Sequence, residues 1–139
     1  MDIMEFKGEY RWLSNFYPSI VFLDGDEFPS IENAYQAAKT VKSSRDKFKL
    51  CSPGESKRLG RRVSLGSKWD EVKVSVMKAL IEQKFAPGTE LAEKLLATGK
   101  RTLVEGNYWN DTFWGVCNGV GQNTLGKLLM SQRTYLQSS

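Results

Sequence analysis

Glu32, Gln36 and Lys39 stand at i, i+4 and i+7 in the segment Ile31-Glu-Asn-Ala-Tyr-Gln-Ala-Ala-Lys39. On a helix they line one polar stripe, with Tyr35 at its border. Glu32 falls in the first turn, where the positive end of the helix dipole favours an ionised carboxylate. It therefore suits balancing a developing cation or orienting a water better than donating a proton. A second concentration lies at Glu105–Gly115, which packs two acids, two amides and four aromatic rings into eleven residues. Its alternation follows neither the helical nor the strand period, and its two glycines and the pair Asn110-Asp111 mark irregular backbone on which side chains can converge on a ligand. Flat rings beside carboxylates can hold a nucleobase or sugar ring and perform acid–base chemistry next to it. Asp111 sits among rings and amides that would desolvate it and fit it for proton donation. Two carboxylates in unlike environments can divide the labour of breaking a glycosidic bond. The plainer alternatives are that Trp109, Phe113 and Trp114 plug a core, that Asp111 caps a turn, that Glu32 is a helix-start acid, and that Lys39 is a solvated surface lysine.

The elements that must position these groups can be read from local pattern. Ile20-Val-Phe-Leu23, Asp24-Gly25-Asp26 and Glu27-Phe28 predict a hairpin, because Asp-Gly supplies the positive φ of a tight turn. Ser30 predicts the N-cap of a helix over about Ile31–Val41. A further helix is expected from Ser44, and another over Ser56–Val63 carrying Lys57-Arg58 and Arg61-Arg62. The longest helical signal runs from Lys68 to Phe85, with Trp69, Val72, Val76, Leu80 and Lys84 on one face. Thr89 caps a predicted helix Glu90–Ala97, with Leu91, Leu95 and Leu96 inward and Gly99 at its end. Thr102–Val104 reads as a short strand, and Asn123–Leu136 as a last helix carrying Leu125, Leu128, Leu129 and Tyr135. The sum is a helix-dominated α+β fold with a small β-sheet or hairpin, expected as one domain over residues 1–139. If the strand before Glu105 lies beside the hairpin, both carboxylates face one pocket.

Composition narrows the chemistry. With no histidine and only Cys51 and Cys117, the usual zinc sets and any Ser-His-Asp or Cys-His engine are ruled out, leaving carboxylates, lysine, tyrosine or bound water. No motif announces an all-oxygen Mg²⁺ site, so no metal and no cofactor are expected. Both thiols are expected reduced and buried. The net charge is +4, with the basic residues concentrated between Lys39 and Lys73. The interleaved Asp46, Glu55, Asp70 and Glu71 make a face for a few phosphates a better reading than a duplex groove. No apolar run would cross a bilayer and the N-terminal segment lacks signal-peptide order, so no membrane partner and a cytoplasmic location are expected.

Longer blocks carry a family resemblance. Leu13-Ser-Asn-Phe-Tyr-Pro18, Phe28 through Lys39, Trp69-Asp-Glu-Val-Lys73, Leu103-Val-Glu through Gly115 and Gly121-Gln-Asn-Thr-Leu-Gly-Lys-Leu-Leu-Met130 together resemble the YbiA-like proteins of the NADAR (NAD and ADP-ribose) superfamily. The blocks span nearly the whole chain in order. The resemblance implies a YbiA-like fold and an N-glycosidase that cleaves between the ribose anomeric carbon and a nitrogen. The implied substrate is a phosphorylated ribosylamino-pyrimidine of riboflavin synthesis or an ADP-ribosylated guanine of nucleic acid. It implies Glu32 as the catalytic glutamate, Trp69, Asp111 and Trp114 as site residues, and Lys39 as the amine that captures the sugar as a Schiff base. Tyr108-Trp109 ahead of Asn110-Asp111 departs from a variable position of the family and bears on base selectivity. The implied substrate-binding set is Ser14, Asn15, Phe16, Tyr35, Gln36, Arg58, Arg61, Trp69, Glu105, Trp109, Asn110 and Trp114, with the arginines holding phosphate and the tryptophans stacking on the base. The rival expectation is a non-catalytic reader of ADP-ribose or a related nucleotide; a weaker third is an RNA- or DNA-binding module built on the basic segment.

Overall fold

The computed structural model describes residues 1–66 and 68–138; Ser67 and Ser139, inside the expected domain, lie outside the described residues. The chain forms two compact units, Asn15–Lys84 and Met1–Ser14 with Phe85–Ser139. Each is helix-dominated with one small two-stranded sheet among its described residues. This is the expected α+β class.

In the unit Asn15–Lys84, β1 (Val21–Leu23) and β2 (Asp26–Phe28) form the predicted antiparallel hairpin, with Val21 opposite Phe28. Asp24 and Gly25 take φ of 49° and 84°, the paired left-handed conformation that matches strand twist. α1 (Ile31–Ala38) follows, buried from Ile31 to Ala37, so its polar residues must find partners inside the protein. Ser30 Oγ accepts from Asn33 N at 3.1 Å, and the carbonyl of Asn15 accepts from Glu32 N at 3.0 Å. Asn33 Nδ2 donates to the carbonyls of Phe48 and Cys51. α1 ends three residues before the expected Val41. There Arg45 Nε donates to the carbonyls of Ala37 and Thr40, so a downstream guanidinium serves the helix end.

Instead of a helix from Ser44, two 3-10 turns cover Lys42–Ser44 and Asp46–Phe48. α2 (Pro53–Gly60) begins and ends three residues earlier than expected. Ser52 and Glu55 form a reciprocal capping box and Pro53 supplies the first turn, which displaces the start from Ser56. α3 (Trp69–Lys84) buries Trp69, Met77, Leu80, Ile81 and Lys84, whereas Val72 of the expected face is exposed. α1 packs on both α2 and α3, and β1 packs on α1 and α3.

In the other unit, α4 (Glu90–Ala97) is capped by Thr89 as expected, burying Ala92 and Leu95, with Leu91 and Leu96 half-buried. It packs on α5 (Thr124–Gln137), which buries Leu125, Leu129 and Leu136 but leaves Tyr135 exposed. The segment at Thr102–Val104 does not pair with the hairpin: Leu103 bridges in parallel to Ile3, with Ile3 N donating to the Thr102 carbonyl and Val104 N to that of Ile3. β3 (Gly106–Asn107) pairs in parallel with β4 (Val116–Cys117). Asn123 ties these segments to α5: its Oδ1 accepts from Glu105 N at 3.0 Å and its Nδ2 donates to the Leu103 carbonyl at 2.9 Å. Cys117 is buried but Cys51 only partly so, and both are thiols.

Candidate active site

The stripe predicted on α1 exists, and it is buried. Glu32 and Gln36 are each less than a tenth exposed, and Gln36 Nε2 donates to Glu32 Oε2 at 2.6 Å. This charge-assisted bond one helical turn apart fixes the carboxylate. The other end of the amide, Gln36 Oε1, is buried with no hydrogen-bond partner and lies against Gly60 of α2, where a Cβ would overlap it. Ser56 and Gly60, small residues one turn apart and both buried, let α2 approach α1.

Lys39 follows α1 at its C-cap and is half-buried. Its Nζ lies 5.4 Å from the centre of the Tyr35 ring, and that ring lies 5.3 Å from Trp69 with the planes tilted by 54°. Burial pushes the Lys39 ammonium below its ordinary value of 10.5; Glu32 opposes that shift, and Arg61, Lys57 and Lys73 add to it. One buried carboxylate and one depressed amine thus stand within a group of cations. Lys57 also lies over the Phe16 ring, 6.0 Å from its centre. Beside Lys39 and Trp69 opens a cleft of about 370 Å³, walled by Val41, Leu65, Gly66 and Val72. Among the described residues no group of three or more Cys, Asp and Glu is gathered as a metal site would require.

The aromatic loop uses its polar atoms differently. Asp111 Oδ1 accepts from the backbone N–H of Phe113 at 3.2 Å and of Trp114 at 2.9 Å. Asn107 Oδ1 accepts from Trp109 N and Asp111 N, while its Nδ2 donates to the Asp111 carbonyl. Asn110 takes φ of 64°, with its Oδ1 facing the Cys117 thiol. The rings are not core plugs: Trp109 is 43% exposed and Tyr108 more so, the two meeting edge to face, while Phe113 and Trp114 are half-buried and form a second edge-to-face pair. Glu105 is half-buried, and its carbonyl accepts from Val116 N.

The structure thus gathers Glu32, Tyr35, Gln36, Lys39, Arg61 and Trp69 in one unit and Glu105, Trp109, Asn110, Asp111 and Trp114 in the other. Ser14 closes the 3-10 turn Gly8–Leu13, its N–H donating to the Arg11 carbonyl. Asn15 supports α1 through its carbonyl, and Phe16 is exposed beside Lys57. Arg58 is exposed on α2. The sequence placed Lys57 and Lys73 in the basic stretch but singled out neither as a site residue. The signal for Lys57 was present: once the capping box Ser52-Pro-Gly-Glu55 sets the helix start, Ser56 and Gly60 mark the inward face, and Lys57 and Arg61 follow each by one residue.

Comparison with known proteins agrees with this architecture. The NADAR domain matches residues 4–137. The riboflavin biosynthesis protein VVA0006 of Vibrio vulnificus is 36% identical over 133 residues, which is 92% of this chain but only 36% of that protein. N-glycosidase YbiA of Shigella flexneri serotype 5b is 38% identical over 133 residues, covering 92% of this chain and 82% of that one. The NMR structure of E. coli YbiA superposes with a TM-score of 0.84 at 34% identity, covering 99% of this chain and 84% of that one. A buried Glu32 one turn from its amide partner, on an architecture shared with YbiA and under a family match running almost end to end, establishes that this chain belongs to the NADAR domain family.

Proposed function

We propose that the protein is an N-glycosidase that hydrolyses the bond between a ribose anomeric carbon and a nucleobase-type nitrogen. The substrate would be a phosphorylated N-riboside, either an ADP-ribosylated guanine of nucleic acid or a phosphorylated ribosylamino-pyrimidine. The observation that carries the reading is the pairing of a positioned, buried Glu32 with a Lys39 whose ammonium is depressed by burial and neighbouring cations. The names of its relatives, N-glycosidase and riboflavin biosynthesis protein, point to the same chemistry.

In this mechanism the C1–N bond breaks with its electron pair leaving on nitrogen, which takes up a proton; Asp111 is the proposed source. Positive charge then grows on C1 and the ring oxygen. Glu32 balances it, and because Gln36 already holds that carboxylate, little reorganisation is needed during the step. A lowered ammonium pKa raises the fraction of Lys39 present as neutral amine, which can attack C1; ring opening gives an imine, and water cleaves it to release the phosphorylated sugar and restore the amine. Arg61 and Lys57 are the proposed phosphate holders, and Trp69 is the proposed platform for a flat ring.

The test is incubation with a panel of N-ribosides and ADP-ribosylated oligonucleotides, with products read by mass spectrometry and borohydride added during turnover. A released base, together with a reduced sugar adduct on the peptide containing Lys39, is expected. Product without adduct would favour direct attack by water. Tight ADP-ribose binding with no product from any substrate would replace the enzyme by a nucleotide reader.

A further inference from the structure

The cleft beside Lys39 is unlike the rest of its surroundings. On the α1–α2 side, Lys39 is surrounded by Glu32, Arg61 and Lys57, a strongly charged setting. The cleft itself is walled by Val41, Leu65 and Val72, all substantially exposed, with Thr40, Ser64 and Lys68 supplying polar atoms at its lining and Trp69 shared between the two settings. Three exposed aliphatic side chains around one concavity are unusual on a surface with no structural need for them, and α3 buries other residues for its packing. The volume of about 370 Å³ suits a small molecule and not a helix or strand of a partner.

An N-riboside has a matching division: a charged, phosphorylated sugar on one side of the scissile bond and an uncharged, flat heterocycle with apolar faces and a polar edge on the other. We infer that the cleft bounded by Val41, Leu65, Val72 and Trp69 is the subsite for the departing heterocycle, with Lys39 at the boundary where the sugar begins. This rests on the N-glycosidase reading and adds where the leaving group sits. The aliphatic wall and Trp69 hold the faces of the ring by area and ring contact, while Thr40 and Ser64 line the same cleft within reach of a polar edge. Leu65 and Val72 are then determinants of which ring is accepted, favouring large flat rings over small polar ones.

The experiment uses the full chain with labelled valine and leucine methyl groups, titrated separately with 9-methylguanine and with ribose 5-phosphate. 9-Methylguanine is expected to shift the Val41, Leu65 and Val72 methyl signals saturably, and ribose 5-phosphate to leave them in place while binding elsewhere. Leu65→Asp and Val72→Asp, at exposed positions where the fold tolerates a charge, are expected to weaken 9-methylguanine binding by about tenfold or more and to leave ribose 5-phosphate affinity unchanged. Circular dichroism checks that both variants remain folded. If 9-methylguanine binds but shifts only methyls outside the cleft, or if ribose 5-phosphate is the probe that fills it, the subsite assignment is overturned and the N-glycosidase reading stands. If neither probe shifts any methyl signal at millimolar concentration, the subsite assignment is overturned, while the N-glycosidase reading is decided separately by base release from the N-riboside panel.

Discussion

On α1 the backbone is served by others. Ser30, Asn15 and Arg45 take up its unsatisfied ends, so Glu32 and Gln36 can direct their polar atoms to each other inside the protein. In the loop Glu105–Gly115 the roles are reversed: Asn107 and Asp111 use their own side chains to hold backbone N–H groups, and the rings they support stay half or largely exposed. A regular element with capped ends can hold a buried carboxylate in place. An irregular loop must use its polar residues to define its own shape, and what it can present is flat aromatic surface. On the proposed mechanism α1 carries the reaction chemistry, and Asp111 is the loop residue asked both to shape its loop and to supply a proton.

The sharpest way to break that division is Glu32→Gln, which keeps size and one acceptor oxygen for Gln36 Nε2 but removes the charge. Turnover should fall by at least about a hundredfold with the fold retained, because an amide does not balance an oxocarbenium ion. Full activity in the purified variant would return Glu32 to a structural role.

Asp111 separates shape from chemistry. Asp111→Ala leaves the N–H groups of Phe113 and Trp114 without their acceptor and should cost about 1–2 kcal/mol, whereas Asp111→Asn keeps an oxygen there and should unfold near the parent temperature. If Asp111→Asn also keeps full turnover, the residue only shapes the loop and the proton comes from another group.

Lys39 gives a pH test. The folded state holds its ammonium below 10.5, so the unfolded chain binds that proton more tightly. Protonation therefore costs stability at neutral pH, and the cost disappears as pH rises from the folded value through 10.5. Lys39→Met should thus be more stable than the parent at pH 7, with the gap narrowing as pH rises toward 10.5; a constant gap in chemical denaturation would show that the amine is not perturbed. The smallest expected difference lies in the basic run at the end of α2: Arg61→Ala should weaken ribose 5-phosphate binding several-fold, and Arg58→Ala less, because Arg61 is, with Lys57 and Lys73, one of the main cations acting on Lys39. Equal losses would make the basic run a diffuse field and not a placed contact.

Much of this was legible in the sequence wherever the cause lay within one turn of chain. Asp24-Gly25 specified the hairpin, and Ser30 and Thr89 announced their helices, because a turn's φ angles and a cap's hydrogen bond involve neighbours only. The stripe of Glu32, Gln36 and Lys39 followed from helical periodicity alone. The start of α2 was legible too, but Pro53-Gly54 read as a break outweighed the capping box around it. What periodicity does not contain is which face a neighbour covers: Tyr135 and Val72 fit the inward pattern and are exposed, while Met77 and Ile81 are buried.

Tertiary structure alone decided the rest. Arg45 ends α1 from beyond it, and Ile3 takes the bridge to Leu103 from the far end of the chain. The same holds for the electrostatics of Lys39. Its residue type and place on α1 were determined by the sequence, but its depressed ammonium depends on burial and on Lys57, Arg61 and Lys73, which folding brings near it. Hydrogen bonds that close a turn are short-range in sequence, whereas desolvation and Coulomb interactions depend on distance through space, and only the packing of α2 and α3 around α1 sets that distance.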